Sequence, residues 1–395
     1  MRRLLLPPSL LFAVFLGSWL AAAADLGVVD TSFYQAPAPA LEYPKAKLDK
    51  PRNVILMIGD GMGLSQVALA HLAAVGPAGR LHMERFPVLG LSWTFSASSL
   101  VTDSAAAGTA LACGVKANNG AVAIAPDGRR MVSLLREAQA KGMATALVAA
   151  SSVTDATPAC FAAWSLSRGS EDAIAADLAA SGADVILGGG KAHFLPSSRA
   201  DRRDLVAELK AKGYQAVFSA ADLASATSPK LLGLFADGHM QGEPPEPALA
   251  TMAATALDRL GKDPDGFFMM VEGSLIDKRC HKNDAVGALR QTLWFDMAVK
   301  AAADFAARDG HTLVVVTADH ETGGLLVTKG GLDGKNLSVN WAAGDHTPSA
   351  VPVFAFGPGA ERFAGVQDET QIALKIAALL DVAAFPAESK APIGH

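Results

Sequence analysis

The run Asn53-Val54-Ile55-Leu56-Met57-Ile58-Gly59-Asp60-Gly61-Met62-Gly63 decides the fold of this chain. A short apolar run that stops at turn residues is typical of a strand buried in a parallel sheet. Its glycines allow the backbone to turn sharply and to approach a ligand closely. Ligands of open α/β sheets bind at the carboxyl ends of strands, so we expect Asp60 to lie at a binding edge. The alternative is that Asp60 only caps a helix that begins near Leu64.

Similar apolar runs return along the chain and alternate with segments of helical pattern. Strands are predicted at residues 145–150, 184–190, 267–271, 312–316 and 351–356. Helices are predicted at residues 64–74, 247–260, 284–309 and 370–380, with a peripheral helical stretch at 202–223. This alternation predicts an α/β fold, a three-layer α/β/α sandwich with a large, mostly parallel central sheet.

Composition limits the functions that the chain can have. Its 395 residues suffice for one large domain with a deep core or for two smaller ones, and no repeat or linker divides them. The formal net charge of -5 makes non-specific nucleic-acid binding a poor hypothesis. Cys113, Cys160 and Cys280 do not have zinc-finger spacing, so we expect mostly buried thiols and at most one disulfide.

The first 24 residues have the pattern of a signal peptide. Arg2 and Arg3 precede an apolar stretch, and four alanines end at Ala24, where we predict cleavage. The expected division is a signal peptide at 1–24, an N-terminal arm at 25–51 that packs on a partner subunit, and a catalytic domain at 52–395. No later stretch has the roughly 18 apolar residues that a membrane helix needs. The mature protein is therefore expected in the periplasm or secreted, without a membrane anchor.

A second motif, Val101-Thr102-Asp103-Ser104-Ala105-Ala106-Ala107-Gly108-Thr109, predicts a tightly packed helix of small residues. Ser104 falls at its expected N-terminus, where free backbone N–H groups and the helix dipole favour an anion. Ser104 is therefore a candidate nucleophile. The alternative is that Ser104 or Asp103 is only an N-cap.

Potential metal ligands recur at predicted strand ends and in the loops beside them. They are five carboxylates and three imidazoles: Asp60, Asp155, Glu272, Asp277, Asp319, His281, His320 and His346. Five carboxylates cannot converge on one sheet edge without cations, because like charges in a low dielectric repel or take up protons. The set suits two zinc ions and a harder ion such as magnesium. Asp277 and His281, four residues apart, share a helix face, a spacing that also suits a surface ion pair.

With these motifs the chain, from Asn53 to about Val382, resembles the alkaline phosphatases. The resemblance rests on Gly59-Asp60-Gly61-Met62-Gly63, the Ser104 motif, Asp155-Ala156-Thr157-Pro158, Val271-Glu272-Gly273 with Asp277-Lys278 and His281, Thr317-Ala318-Asp319-His320-Glu321-Thr322-Gly323-Gly324, and His346-Thr347. It implies an exported phosphomonoesterase that forms a phosphoserine on Ser104, and a homodimer. Only a short segment separates His320 from His346, so we expect a small crown-like insertion.

The resemblance also implies a role for each site residue. One zinc ion would be held by Asp277, His281 and His346. The second zinc ion would be held by Asp60, Asp319 and His320. Magnesium would be held by Asp60, Thr157 and Glu272, with Asp155 holding its waters. Phosphate would be bound by Arg168, with Asp103 orienting that arginine and Lys278 acting through water.

Three functions compete for this set of residues. The first is hydrolysis of small phosphate monoesters, which Ser104, Arg168 and the magnesium ligands favour. The second is a related two-metal phosphodiesterase or sulfatase. The third is a non-catalytic metal-binding protein, which would need neither Ser104 nor Arg168.

Two residues have weaker local signals. Arg168, placed on the helix after Pro158, could be a surface group. Trp164 is expected to face the helix turn near Arg168.

Overall fold

The computed structural model describes residues 23–43 and 48–389. Nearly all of the predicted signal peptide lies outside these residues, so its prediction stays untested. Within the part of the chain that is described, no helix is both long and apolar enough to cross a membrane.

Fifteen strands and eleven α-helices form the described chain. The strands are β1 (Ala24–Asp25), β2 (Asn53–Ile58), β3 (Val88–Trp93), β4 (Ala144–Ser152), β5 (Val185–Gly189), β6 (Gln215–Val217), β7 (Leu231–Leu234), β8 (Phe267–Glu272), β9 (Thr312–Thr317), β10 (Glu321–Thr322), β11 (Leu325–Lys329), β12 (Ser338–Trp341), β13 (His346–Thr347), β14 (Val351–Phe356) and β15 (Gly365–Asp368). The helices are α1 (Leu64–Val75), α2 (Ser104–Cys113), α3 (Leu134–Ala140), α4 (Ala156–Ala162), α5 (Glu171–Ala180), α6 (Leu205–Ala211), α7 (Ala220–Ser225), α8 (Leu249–Leu260), α9 (Leu275–Cys280), α10 (Ala285–Asp309) and α11 (Glu369–Leu379).

A ten-stranded sheet forms the central layer, in the order β15-β3-β14-β9-β2-β8-β4-β5-β7-β6. Within this sheet β14 runs antiparallel to both of its neighbours, and the other pairings are parallel. The predicted α/β class with a large, mostly parallel sheet is therefore confirmed. In the register of β2, Ile58 pairs with Glu272 on one side and Thr317 on the other, so three strands end level with one another.

Helices cover both faces of this sheet because its inner strands are apolar on both sides. Along β2, Ile55 and Met57 face one core, which α1, α8 and α10 complete. Val54, Leu56 and Ile58 face a second core, which α2, α3, α4 and α11 complete. This arrangement is the three-layer sandwich that the apolar run predicts.

The secondary structure differs from prediction at residues 202–223 and at β3. The stretch 202–223 is not one helical region, since α6 and α7 flank strand β6 at the sheet edge. Gly213 explains the interruption, because its φ of +88° ends the helical path after α6. Strand β3 was not predicted because Gly90 and Ser92 interrupt its apolar pattern. A side chain at Gly90 would lie 2.2 Å from the Phe363 carbonyl oxygen, so close strand packing requires the glycine.

The short segment between His320 and β14 forms two small antiparallel sheets. Strands β10 and β13 pair with each other, while β11 and β12 form a three-stranded sheet with β1 of the arm. This is the small crown-like insertion that the sequence predicts. The pairing of β10 with β13 places Thr322 opposite His346.

The arm packs against its own chain in the described structure. The Tyr34 hydroxyl donates to Asp296 Oδ2 on α10 at 2.6 Å, and Phe33 lies with its ring centroid 5.4 Å from that of Trp294. Contact of the arm with a partner subunit stays a prediction. The three cysteines are free and buried, as expected of structural thiols.

The chain's three tyrosines, Tyr34, Tyr43 and Tyr214, give a prediction at alkaline pH. Burial raises the pKa of all three hydroxyls, that of Tyr214 to about 12. The unfolded chain releases these protons near pH 10, whereas the folded chain keeps them, so stability falls as pH rises above about 10. Ultraviolet absorbance near pH 10 should detect almost no phenolate in the native protein, whereas after unfolding in denaturant each of the three tyrosines should be about half ionised. Native phenolate formation near pH 10 would contradict the burial.

Candidate active site

The site lies at the carboxyl edge of the central strands. Asp60 follows β2, Glu272 ends β8, and Asp319 and His320 follow β9, which the level register brings side by side. Asp155 follows the neighbouring strand β4 and caps α4. These carboxylates are separated in sequence but share one edge, because parallel strands present the same end to the same side.

Asp277, His281 and His346 form the first trio of potential metal ligands. One ligand atom of each lies within 4.8 Å of the others. Asp277 and His281 are one turn apart at α9, and β13 brings His346 to them. The His281 and His346 Nε2 atoms are 3.1 Å apart, and Asp277 Oδ1 lies 3.3 Å and 3.5 Å from them, respectively.

Asp60, Asp319 and His320 form the second trio, also within 4.8 Å of one another. His320 Nε2 lies 3.2 Å from Asp319 Oδ2 and 3.6 Å from Asp60 Oδ1. The same nitrogen lies 3.2 Å from the Ser104 hydroxyl oxygen. All four residues are buried. The serine therefore lies directly beside this trio.

In the described part of the chain, the second trio has carboxylate oxygens without hydrogen-bond partners, which a divalent cation could bind. Asp60 Oδ1 and Asp319 Oδ2 are buried and have no hydrogen-bond partner within the described chain. Buried carboxylate oxygens are normally paired or bound to metal, because leaving them unpaired is costly. Burial and the Asp319 charge raise the pKa of Asp60 well above its usual range, and burial with Asp277 raises the pKa of Asp319 to about 6. A cation among these oxygens would relieve both effects.

The remaining predicted magnesium ligands lie beside Asp60 but outside the two trios. Glu272 is buried, and its Oε2 accepts a hydrogen bond from Ser274 at 2.6 Å. Burial and the Asp155 charge raise the pKa of Glu272 to about 8. Thr157 is buried in α4, next to Glu272. These are oxygen donors, the type that magnesium prefers.

Asp155 binds two cationic side chains. Its Oδ1 accepts from Arg168 at 3.0 Å, and its Oδ2 from Lys278 at 3.0 Å. Burial alone would raise the pKa of Asp155, but Lys278 and Arg168 hold it well below the usual range. The carboxylate therefore stays ionised and positions both cations at the rim of the trios.

Asp103 both caps α2, which the sequence left open, and contacts Arg168, which the resemblance implied. One carboxylate oxygen caps α2 by accepting from the Ala106 N–H at 3.0 Å, and the other accepts from Arg168 at 3.2 Å. Ser104 is the first residue of α2, as predicted. The cap thus fixes the serine and the arginine relative to each other.

The placement of Arg168 and Trp164 on a helix was wrong. Helix α4 ends at Ala162, and Arg168 lies in the following loop, where its N–H donates to the Gly120 carbonyl at 2.8 Å. The chain leaves the helix because Ser165 pairs as a β-bridge with Val122. Trp164 also lies beyond the end of α4, and its Nε1 donates to the Met131 carbonyl oxygen at 2.8 Å.

Sequence reasoning missed two residues at the site. His239, in the loop after β7, has its Nδ1 3.7 Å from Asp155 Oδ2. It is an isolated histidine without a motif, so no spacing signal could have identified it. Thr322 contacts both trios. It lies within the motif at residues 317–324, in which only Asp319 and His320 were proposed as ligands.

The comparisons with known proteins agree with this geometry. The family model for alkaline phosphatase matches residues 51–336. Alkaline phosphatase 3 of Bacillus subtilis is 35% identical, over 86% of this chain and 91% of its own, and the Escherichia coli enzyme is 32% identical, over 82% and 85%. A variant of the alkaline phosphatase from the Antarctic bacterium TAB5, solved with Mg bound in the M3 site, is 37% identical with a TM-score of 0.78, over 85% of this chain and 99% of its own. With this similarity over most of its length, and with two candidate metal sites beside a serine that begins helix α2, the chain belongs to the alkaline phosphatase family.

Proposed function

We propose that this protein hydrolyses phosphate monoesters to an alcohol and inorganic phosphate through a phosphoserine on Ser104. The observation that carries the proposal is the position of the Ser104 hydroxyl, 3.2 Å from His320 Nε2 in the second trio. Arg168 lies nearby and donates a hydrogen bond to Asp103, the residue that caps α2. A nucleophile, metal ligands and a phosphate-binding arginine are thus joined through one helix terminus.

The bound cations belong to the proposal. One zinc would be held by Asp277, His281 and His346, and the other by Asp60, Asp319 and His320. Magnesium would be held by Asp60, Thr157 and Glu272, with Asp155 holding its waters. Two zinc ions supply charge neutralisation at the entering and leaving oxygens of the phosphoryl group.

The protein's own groups bind and orient the phosphoryl group. The planar guanidinium of Arg168 can donate two parallel hydrogen bonds to phosphate oxygens, and Asp103 and Asp155 fix its plane. Lys278, held by Asp155, adds a positive charge and contacts phosphate through water. The N-terminal N–H groups of α2 add further donors beside Ser104.

The reaction has two displacements at phosphorus. Ser104 Oγ gives up its proton to water and forms a bond to phosphorus while the ester P–O bond breaks, and the alcohol leaves with a proton taken from water. Water then attacks the phosphoserine, the Ser104 Oγ–P bond breaks, and Ser104 regains its proton as phosphate leaves.

A comparison of three substrates tests the reaction class. We expect kcat/KM for an aryl phosphate monoester to exceed that for the matching diester and the matching sulfate by orders of magnitude, with zinc and magnesium supplied at alkaline pH. A monoester carries two negative charges, which Arg168 and Lys278 can neutralise. The matching diester and sulfate carry only one negative charge each. A preference for the diester or sulfate would contradict the proposal. Metal binding without activity on any of the three would favour a binding protein.

Export and self-association extend the proposal. The charged and apolar pattern of residues 1–24 supports cleavage after Ala24 and a periplasmic or secreted protein. The intact mass of protein recovered from the producing cells tests this, since retention of residues 1–24 would contradict it. A homodimer is proposed from the family, and a monomeric mass in sedimentation would contradict it.

A further inference from the structure

Thr322 lies between the two metal trios. Its hydroxyl oxygen is 2.6 Å from Asp277 Oδ1 in the first trio and 3.2 Å from His320 Nδ1 in the second. The side chain is fully buried. One hydroxyl group therefore contacts a proposed ligand of each zinc ion.

Rigid surroundings fix the position of this hydroxyl. The Thr322 N–H donates to the Gly61 carbonyl at 3.3 Å, and the Thr322 carbonyl accepts from Gln66 Nε2 at 2.8 Å. Gly61 has a φ of +70°, and a side chain there would begin 2.8 Å from the Thr322 hydroxyl. The glycine next to Asp60 thus leaves the space that the threonine occupies.

The single hydroxyl proton determines the direction of both hydrogen bonds. An ionised carboxylate can only accept, and 2.6 Å is typical of a hydroxyl donating to a carboxylate. Thr322 therefore donates to Asp277 and can only accept from His320. A neutral His320 that makes this hydrogen bond carries its proton on Nδ1. Its Nε2 lone pair is left facing Asp60, Asp319 and Ser104, the side on which a metal would bind.

We infer that Thr322 is a positioning residue that sets the tautomer of His320, orients Asp277, and thereby strengthens zinc binding at both sites. The inference rests on the proposed function, since it takes both trios to be zinc sites. Groups that orient metal ligands in this way typically contribute about 10–100-fold to metal affinity. The threonine hydroxyl is thus expected to act on both sites at once.

The test compares Thr322→Val, which keeps the shape and removes the hydroxyl, with Thr322→Ser, which keeps the hydroxyl. Thr317→Val is the matched control, because Thr317 is equally buried and its hydroxyl bonds only to backbone carbonyls. Zinc dissociation constants are measured on the metal-stripped full chain by competition with a chromogenic chelator. We expect Thr322→Val to weaken both sites by about 10–100-fold. The zinc dissociation constants of Thr322→Ser and Thr317→Val should remain close to those of the parent.

Imidazole ¹⁵N spectra give a readout that a general loss of stability would not move. The zinc-loaded parent should show His320 protonated at Nδ1, and Thr322→Val should shift this signal while Thr317→Val leaves it unchanged. Unaltered zinc affinity in Thr322→Val, or weakening confined to one site, would overturn the inference. Equal thermal unfolding of the metal-free Thr322→Val and Thr317→Val variants checks folding. A parent chain that fails to bind zinc at two sites would instead refute the metal assignment in the proposed function.

Discussion

Replacing Ser104 with alanine should lower kcat for an aryl phosphate monoester by roughly 10³-fold or more, the scale on which loss of a nucleophile acts. The variant has no oxygen to form the phosphoserine, while Asp103 still caps α2 and still holds Arg168. The Ser104 side chain is not needed for either trio. Zinc and magnesium content should therefore equal that of the parent, measured by elemental analysis alongside the kinetics.

Ser181→Ala is the control for this substitution. Ser181 is also buried, but its hydroxyl bonds to the Leu178 carbonyl at the end of α5, away from the site. Its turnover should stay close to the parent value. Normal turnover by Ser104→Ala would refute the nucleophile, and trapping of ³²P-labelled phosphoserine in the parent but not in the variant would support it.

Replacing Asp319 with alanine should remove one zinc ion per chain. Asp319 Oδ1 accepts from the Gly61 and His320 N–H groups at 3.1 Å and 2.9 Å, and Oδ2 is left without a hydrogen-bond partner within the described residues. One oxygen thus holds the loop while the other faces the second trio. Without this carboxylate the trio keeps only Asp60 and His320, too few for a tetrahedral zinc site. Turnover should fall with the lost metal.

Two further variants separate charge from structure at this position. Asp319→Asn keeps an oxygen for the Gly61 and His320 N–H groups but removes the negative charge, so we expect it to lose zinc with less effect on thermal stability than alanine. Asp296→Asn changes an equally buried carboxylate, bonded to Tyr34 and to the His82 and Met83 N–H groups. It should keep both zinc ions. Two full zinc equivalents in Asp319→Ala would refute the ligand assignment.

Much of the fold could be predicted from local pattern. The helix predicted at 64–74 is α1, Leu64–Val75, and the strand predicted at 351–356 is β14. Their apolar periodicity reports which face is buried, and backbone geometry converts that periodicity into a helix or a strand. Strand β6 was missed, because a strand of three residues at a sheet edge is stabilised by pairing with β7 and has little pattern of its own.

The order of much of the site along the chain was equally accessible, because Asp60, Glu272 and Asp319 each lie at or just after the end of an apolar run. The path of the backbone at Arg168 could not be predicted from the sequence, because the β-bridge between Ser165 and Val122 competes with helix continuation. That competition depends on a segment distant in sequence. Local propensity favoured a longer helix, and the tertiary contact prevailed.

The sequence alone determined which chemistry is present: a strand that ends at Asp60, a serine at a helix start, and carboxylates and imidazoles at further strand ends. These signals are local, because the type of each side chain and the helix or strand periodicity of apolar residues can be recognised within a few residues. The family resemblance implied which ligands share a trio, and the tertiary structure brings the atoms of each trio within 4.8 Å of one another. Only the tertiary structure decided that Asp103 both caps α2 and holds Arg168, and that Thr322 contacts both trios. Hydrogen bonds and metal ligation depend on distances between remote segments, which are fixed only when strand register and core packing bring those segments together.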